Sequence, residues 1–500
     1  MVVMADRLWF LIPEFILLAG AVVCAIGGLS QAASIRRRIG FIATAFLFVS
    51  FLSVPLVYAN GTPSNVLFPY LGEYIKIFVA LIGILLVMTS GGLMDRSYEH
   101  AIASGKDWFS ALRSSAGEYH ALLLLSITGV MLICEANDLI WLFLALELVS
   151  LPTYVMVALS RWSKVGQEAA MKYFFLGAVS AALMLYGFAL LYGATGTFNL
   201  TEMQLALTAQ KNSALGVSLF GQMGLLLAIV GLCYKIAAAP MHLYAPDVYQ
   251  GAASAVTAFL AFIPKVAGMI GIIMLVSLVG WEQGLPFGVE MTLWVIAVLT
   301  MVLGNIGALL QTSAKRMLGY SSVAHSGYML IGVIAGPPLG IVAVLIYIVI
   351  YGATNTAAFS TLASLSRDGD SVDSLEDLSG LYKRSPVLAS SFAISCGSLL
   401  GIPPLFGFWG KLMLFAAGIA AGHLILVLIA AVTSAVSAWY YLRLIGLVIL
   451  SPLTPRSESV LVTLKWPLIA AVLSAIIALA GPFVLDSLNT KAQQSIVLPE

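Results

Sequence analysis

Apolar residues fill this chain in long runs separated by short polar turns. The runs lie at 9–29, 39–58, 74–94, 118–134, 138–160, 167–194, 217–250, 254–280, 291–312, 320–336, 339–364, 386–419, 423–449 and 466–486. A hydrocarbon core about 30 Å thick is crossed by about 20 helical residues. Each run is therefore predicted to be a membrane span, about fourteen in all. The turn-rich Asn60-Gly61-Thr62-Pro63-Ser64-Asn65 parts the second span from the third, and the polar stretch 95–117 forms a loop. Two runs are longer than a single crossing needs. In 217–250, Pro240 and Pro246 follow Lys235; in 386–419, Gly401-Ile402-Pro403-Pro404 precedes Lys411. Proline removes a backbone donor and clashes one turn back. The carbonyls it frees are tolerated at membrane depth only where protein or a cavity surrounds them. Both runs are thus predicted to be broken helices, the first opening just after Lys235, at a helix end that favours a cation.

The breaks also suggest an internal repeat. Five spans over 118–280 hold the first broken helix as their fourth member, and five over 291–449 hold the second in the same place. An odd number of spans gives the two copies opposite orientations. The expected architecture is an all-α polytopic membrane protein with two inverted five-helix repeats. Residues 1–117 add three spans and a loop, and 450–500 add a loop and a last span.

Composition agrees with a membrane solvent: 61% of the 500 residues are hydrophobic and 9% are charged, against about 25% charged in ordinary globular chains. A formal net charge of +1 gives no sign of a nucleic-acid partner. Cys24, Cys134, Cys233 and Cys396 stand singly in apolar surroundings, which reads as small buried hydrophobes rather than a metal or disulfide framework. Arg36-Arg37-Arg38 follows the first span instead of preceding it, so that span is read as uncleaved, with its N-terminus outside. An even number of spans then puts both termini outside. On this topology sixteen of the 24 Lys and Arg residues, Lys315 and Arg316 among them, fall inside, while Arg7, Lys211 and Lys491 fall outside and Lys76 at an outer border.

The four remaining lysines lie within spans. An ionisable side chain at membrane depth costs roughly 2.5–3.5 kcal/mol on insertion scales and marks a functional position by default. Lys235 and Lys411 accompany the two breaks, and Lys265 sits mid-span beside Pro264. Lys172 stands four residues after Glu168 near a span end, where a surface ion pair explains it as well as function does. Glu147 is a deep acid with no local partner, expected to be protonated or to meet a lysine from another helix. Glu14, beside Pro13 near the outer end of its span, is a weaker candidate. His242 at the first break and His325 in Ser321-Ser322-Val323-Ala324-His325-Ser326-Gly327-Tyr328 sit where a proton could pass. His100 and His120 at the inner boundary and His423 at an outer turn read as solvated.

Several strings carry a resemblance: Ala145-Leu146-Glu147-Leu148-Val149-Ser150-Leu151-Pro152, Glu168-Ala169-Ala170-Met171-Lys172-Tyr173-Phe174, Pro246-Asp247-Val248-Tyr249-Gln250-Gly251-Ala252 after Lys235, and Lys315-Arg316-Met317-Leu318-Gly319-Tyr320-Ser321-Ser322. Together, over about residues 118–449, they resemble the antiporter-like membrane subunits of respiratory complex I, the proton-pumping NADH:quinone oxidoreductase of the electron transport chain. The second and third strings resemble its N-type subunit. L- and M-type relatives have tryptophan before the acid, where this chain has Leu146.

The resemblance implies a proton-translocating translocase subunit with no cofactor of its own in a bacterial inner membrane. FMN, iron–sulfur clusters and quinone are expected in partner subunits, and the other membrane-arm subunits and the lipid bilayer are its expected partners. It also implies roles: Glu147 as the acidic partner, Lys235 as the lysine of the first broken helix, Lys265 as the central group and Lys411 as the terminal one. An Mrp-type sodium/proton antiporter subunit would use the same residues and is the alternative. A passive anchor leaves the buried charges unexplained, and five scattered histidines do not suggest a haem pair.

Overall fold

The computed structural model describes residues 7–59, 61–91, 101–102, 104–108, 110, 116–161, 163–214, 216–282, 284–367, 370–462 and 465–496. Asn60, Arg96, His100 and Arg113 lie outside the described residues. Three helices come first: α1 (Ile12–Gly28), α2 (Ile39–Tyr58) and α3 (Leu71–Ser90). The first five-span unit holds α4 (Ala116–Cys134), α5 (Leu139–Ser160), α6 (Lys164–Thr195), the broken pair α8 (Leu219–Lys235) and α9 (Ala245–Gly251), and α10 (Ser254–Ser277). A short helix missed in the sequence, α7 (Leu200–Lys211), lies between α6 and α8. The second unit holds α11 (Phe287–Leu309), α12 (Ala314–Ala335), α13 (Leu339–Ala363), the broken pair α14 (Pro386–Leu400) and α15 (Phe406–Ala420), and α16 (Leu424–Ile449). A last span, α17 (Lys465–Ala480), runs on through a 3₁₀ turn into α18 (Leu485–Ser495).

Every predicted span has a helix, and both breaks fall where the prolines put them. Ten helices among the described residues are long and apolar enough to cross a membrane. Polar side chains start several of them. Asp138 accepts from the Trp141 amide at 2.7 Å, and Ser163, Ser218 and Ser313 cap α6, α8 and α12 in the same way.

Two helices, α10 and α13, are buried along their whole length and pack on each other. A helix that is apolar all round belongs in an interior, and these two form the central wall. The outer helices instead turn large apolar side chains outward, such as Leu56, Phe175 and Tyr186, which suits contact with lipid. The fold is not wholly helical. Leu365–Arg367 pairs antiparallel with Asp370–Ser371 and with Leu461–Val462, closing a small sheet at the end of α13.

Burial corrects three sequence expectations. Lys315, assigned to an inside loop, is fully buried, because α12 begins six residues before the apolar window does and its first turn donates to the Ala252 carbonyl at 3.0 Å. His120, read as solvated, is buried between the Ala116 carbonyl at 2.7 Å and Ser90 Oγ at 3.2 Å. Lys76, placed at an outer border, is 0% exposed and ion-paired to Glu14. All four cysteines are buried free thiols, as their surroundings predicted.

Candidate functional site

The helix carrying Lys235 ends on that residue, and neighbouring side chains take up the backbone that the break releases. Ser326 Oγ donates to the Ile236 carbonyl at 2.5 Å, Tyr244 Oη to the Tyr234 carbonyl at 2.8 Å, and the Ala239 amide to Thr300 Oγ1 at 2.9 Å. The opening is thus lined by protein, as a broken helix at membrane depth requires.

Lys235 reaches across to α5. Its ammonium donates to Glu147 Oε1 at 3.1 Å, to the Leu146 carbonyl at 3.1 Å and to Ser150 Oγ at 2.5 Å. Three N–H groups thereby find three acceptors. The lysine side chain is 3% exposed and the glutamate 16%. Glu147 therefore has the partner from another helix that its depth demanded. Gly268, three residues after Lys265 on α10, makes the close approach possible: a Cβ there would lie 2.6 Å from Ile236 Cγ2 and 3.0 Å from Lys235 Cβ.

Lys265 has neutral partners only. It donates to the Ser322 carbonyl, to Ser322 Oγ at 2.8 Å and, at 3.4 Å, to Tyr351 Oη, and it sits 4.5 Å from the centre of the Tyr351 ring. Tyr351 donates to the same Ser322 Oγ at 2.7 Å. Lys411, on the second half of the second broken helix, reaches back to the carbonyl ending the first half, Leu400, at 2.8 Å, and to Ser434 Oγ at 3.0 Å. It lies 5.2 Å from the Tyr328 ring. No carboxylate pairs with Lys265 or Lys411 among the described residues.

His325 joins these two lysines. Its Nδ1 lies 2.6 Å from Tyr347 Oη and its Nε2 3.0 Å from Tyr441 Oη. Its ring stands 5.2 Å from that of Tyr351, under Lys265, and 5.7 Å from that of Tyr328, under Lys411. Toward Lys235 the link runs through Ser326, which bonds the Ile236 carbonyl and, at 3.3 Å, the Ser322 carbonyl that also receives Lys265. Ser322, His325, Ser326 and Tyr328 all belong to α12, a helix buried on almost every side, and link Lys265 to its neighbours in the row.

Not every candidate joins it. Lys172 is 42% exposed and pairs with Glu168 at 2.7 Å and Asp247 at 2.6 Å. Asp247 also takes Arg316 Nη1 at 2.6 Å. These charges fasten the half-helix α9 between α6 and α12, the ion-pair reading. His242 is buried in the first break with no partner for Nδ1. Sequence reasoning missed Ser150, Ser322, Ser326, Tyr328, Tyr347, Tyr351 and Tyr441. Tyr347 and Tyr351 did carry a signal, since they stand four apart in an apolar run and a buried tyrosine hydroxyl needs a partner.

Gly401 marks the second break and offers a direct test. Its φ of +92° is left-handed, and a Cβ would come within 3.2 Å of Lys411 Cδ. Gly401→Ala should cost about 1–3 kcal/mol of backbone strain and push Lys411 off the Leu400 carbonyl. Thermal unfolding should shift to lower temperature; an unchanged midpoint would show that the left-handed backbone at Gly401 is immaterial.

Fold and site together define the class: a polytopic, inverted-repeat membrane protein with a row of buried lysines at its two broken helices. The family model described as NADH:quinone oxidoreductase/Mrp antiporter, transmembrane, matches residues 136–437, and the chain belongs to this family. It is 37% identical over 445 residues to NADH-quinone oxidoreductase subunit N 1 of Rhizobium meliloti, covering 87% of this chain and 86% of that one. Among solved structures it resembles a chain of respiratory complex I from Thermus thermophilus with bound aureothin, with TM-score 0.75, 31% identity and coverage of 96% of this chain and 99% of that one. A chain of the Mrp complex from Dietzia sp. has TM-score 0.79, 22% identity and coverage of 99% and 97%, a likeness of fold.

Proposed function

We propose that this chain is a proton-translocating membrane-arm subunit of an NADH:quinone oxidoreductase, complex I, and carries no redox centre itself. The observation that carries the proposal is the buried row Glu147–Lys235, Lys265, His325, Lys411, bridged by hydroxyl groups and anchored at two helix breaks. The similarity to a subunit N, 37% identical over 87% of this chain, supports complex I over an Mrp antiporter, to which the likeness is of fold alone. In this reading FMN, iron–sulfur clusters and quinone reside in partner subunits, and the neighbours are other membrane-arm subunits. The excess of Lys and Arg in alternate loops supports both termini outside, and the similarity to a bacterial subunit N supports a bacterial inner membrane location.

In this mechanism the ammonium of Lys235 keeps its proton while Glu147 is ionised beside it. Burial disfavours an unpaired ammonium. When the pair separates, or a neighbouring cation approaches, the proton moves on through hydroxyls and water toward Lys265, His325 and Lys411. Electrons passing elsewhere in the assembly bias the row, and the row answers electrostatically.

Purification from detergent-solubilised membranes through a tag on this chain is the test. Flavin- and iron–sulfur-containing subunits should co-purify, and vesicles of the assembly should take up protons when given NADH and quinone. Purification without those subunits, with sodium/proton exchange in the absence of NADH, would replace this reading with the antiporter one.

A further inference from the structure

A buried charged cluster outside the row lies at the end of the bundle nearest the N-terminus. Lys76 on α3 is fully buried and donates to the Phe10 carbonyl at 2.9 Å. It also lies 2.8 Å from Glu14 Oε1 and 2.7 Å from Glu135 Oε1. Tyr58, at the end of α2, donates to the same Glu135 oxygen at 2.5 Å and turns its ring to 5.4 Å from the ammonium. The two acids differ. Glu135 is held by both Lys76 and Tyr58, whereas Glu14, 1% exposed, has no side-chain partner but Lys76 among the described residues.

Two ionised carboxylates around one ammonium would leave a net negative charge in a buried site. Such a charge is costly, and like carboxylates sharing a site do not both ionise. A single proton balances the cluster, and the under-bonded Glu14 is where it fits. Gly72 keeps the space: a Cβ there would collide with the Tyr58 hydroxyl and lie 2.8 Å from Glu135 Oε1. A chamber of about 20 Å³, lined by Arg7, Leu11, Pro63, Val66, Glu135 and Trp141, brings Glu135 to the protein's end face. That is room for about one water. Arg7 is occupied with the loop, donating to the Ser64 and Asn65 carbonyls at 2.8 and 3.3 Å. The other titratable groups nearby are Tyr74, whose hydroxyl is buried without a partner, and the buried thiol of Cys134.

We propose that Glu14, Lys76, Glu135 and Tyr58 form a second proton-binding site, which holds one proton and exchanges it with the N-terminal face of the membrane through the chamber at Glu135. In the exchange an N–H bond of Lys76 breaks as an O–H bond forms on Glu135. The O–H proton of Glu14 replaces it on nitrogen, Glu135 passes its proton to water, and a proton entering from that water by the reverse steps restores the O–H of Glu14. Each electron pair stays on the atom that gave the proton, and nothing is oxidised or reduced. Residues 136–138 lead from this site directly into α5, on which Glu147 lies eight residues beyond Leu139, about 12 Å along the axis. That the site exchanges the proton that the row moves is part of the proposal and rests on the function proposed above.

Glu14→Gln and Tyr58→Phe, in the assembled complex, test it. Infrared difference spectra between acid and alkaline buffer should contain a carboxylic-acid carbonyl band that Glu14→Gln removes. Tyr58→Phe takes a hydrogen bond from the Glu135 carboxylate, so Glu135 should compete for the shared proton, the Glu14 band should weaken and a second carboxylic-acid band should appear. Both variants should slow proton release, and Tyr58→Phe decides the matter if Glu14→Gln fails to assemble. Spectra and pumping identical to wild type in the assembled variants would overturn the site and leave a static ion cluster that ties α1, α2 and α3 to the end of α4. If Lys235→Ala stops pumping while these variants change nothing, only the second site falls; if Lys235→Ala pumps normally, the proposed function fails first.

Discussion

NADH-driven proton uptake should drop by roughly 10²-fold or more when Lys235 is replaced by alanine, the usual weight of a positioned proton-transfer group, while the complex still assembles. Assembly is expected to survive because the loss does not strand a charge. Glu147 is 16% exposed and can take up a proton, and the backbone of the break is held by Ser326, Tyr244 and Thr300 rather than by Lys235. Lys235→Arg should also fail, although it restores the charge, because guanidinium does not give up its proton under these conditions. Its larger planar head must also fit a site where Gly268 already leaves little room. The measurement is proton uptake by reconstituted vesicles at matched amounts of complex. Wild-type rates in Lys235→Ala would remove Lys235 from the mechanism.

Glu147→Gln should slow pumping by a comparable amount, and combining it with Lys235→Met should add little. Removing the carboxylate strips the ammonium of its only charged partner among the described residues, leaving Leu146 and Ser150 as acceptors. An uncompensated buried charge costs roughly 3–5 kcal/mol or is neutralised, so either outcome disables the pair. Once one partner is gone, loss of the second removes nothing further that matters. Pumping rates for wild type, the two single variants and the double variant form a cycle whose coupling term reports the pair. If the logarithms of the two losses add, the residues act independently, and Glu147 is a packing acid that joins α5 to its neighbours.

Much of this protein was determined by its sequence alone, because the membrane leaves few options. Backbone groups in hydrocarbon must be satisfied within a helix, so runs of about 20 apolar residues mapped onto spans almost one for one. Clustered helix breakers in overlong runs, Pro240 with Pro246 and Gly401 with Pro403-Pro404, located both breaks, whereas the single Pro55, Pro152 and Pro264 are carried inside continuous helices. A lysine at such depth stands out whatever surrounds it, and Lys235, Lys265 and Lys411 were legible for that reason, as was the need of Glu147 for a partner.

Tertiary structure decided what the lysines do with their neighbours. Serine and tyrosine are common in any span, so nothing marked Ser322 or Tyr351 until α12 turned its polar face to α10 and α13. Depth within the protein also differs from depth along the chain. Lys315 sits beside a predicted loop and is buried by the early start of α12, whereas Lys172 sits inside a predicted span and is 42% exposed, because its face of α6 points outward. The Glu14–Lys76–Glu135 cluster joins residues up to 121 positions apart, and only the packing of α1, α3 and the end of α4 could bring two acids to one ammonium.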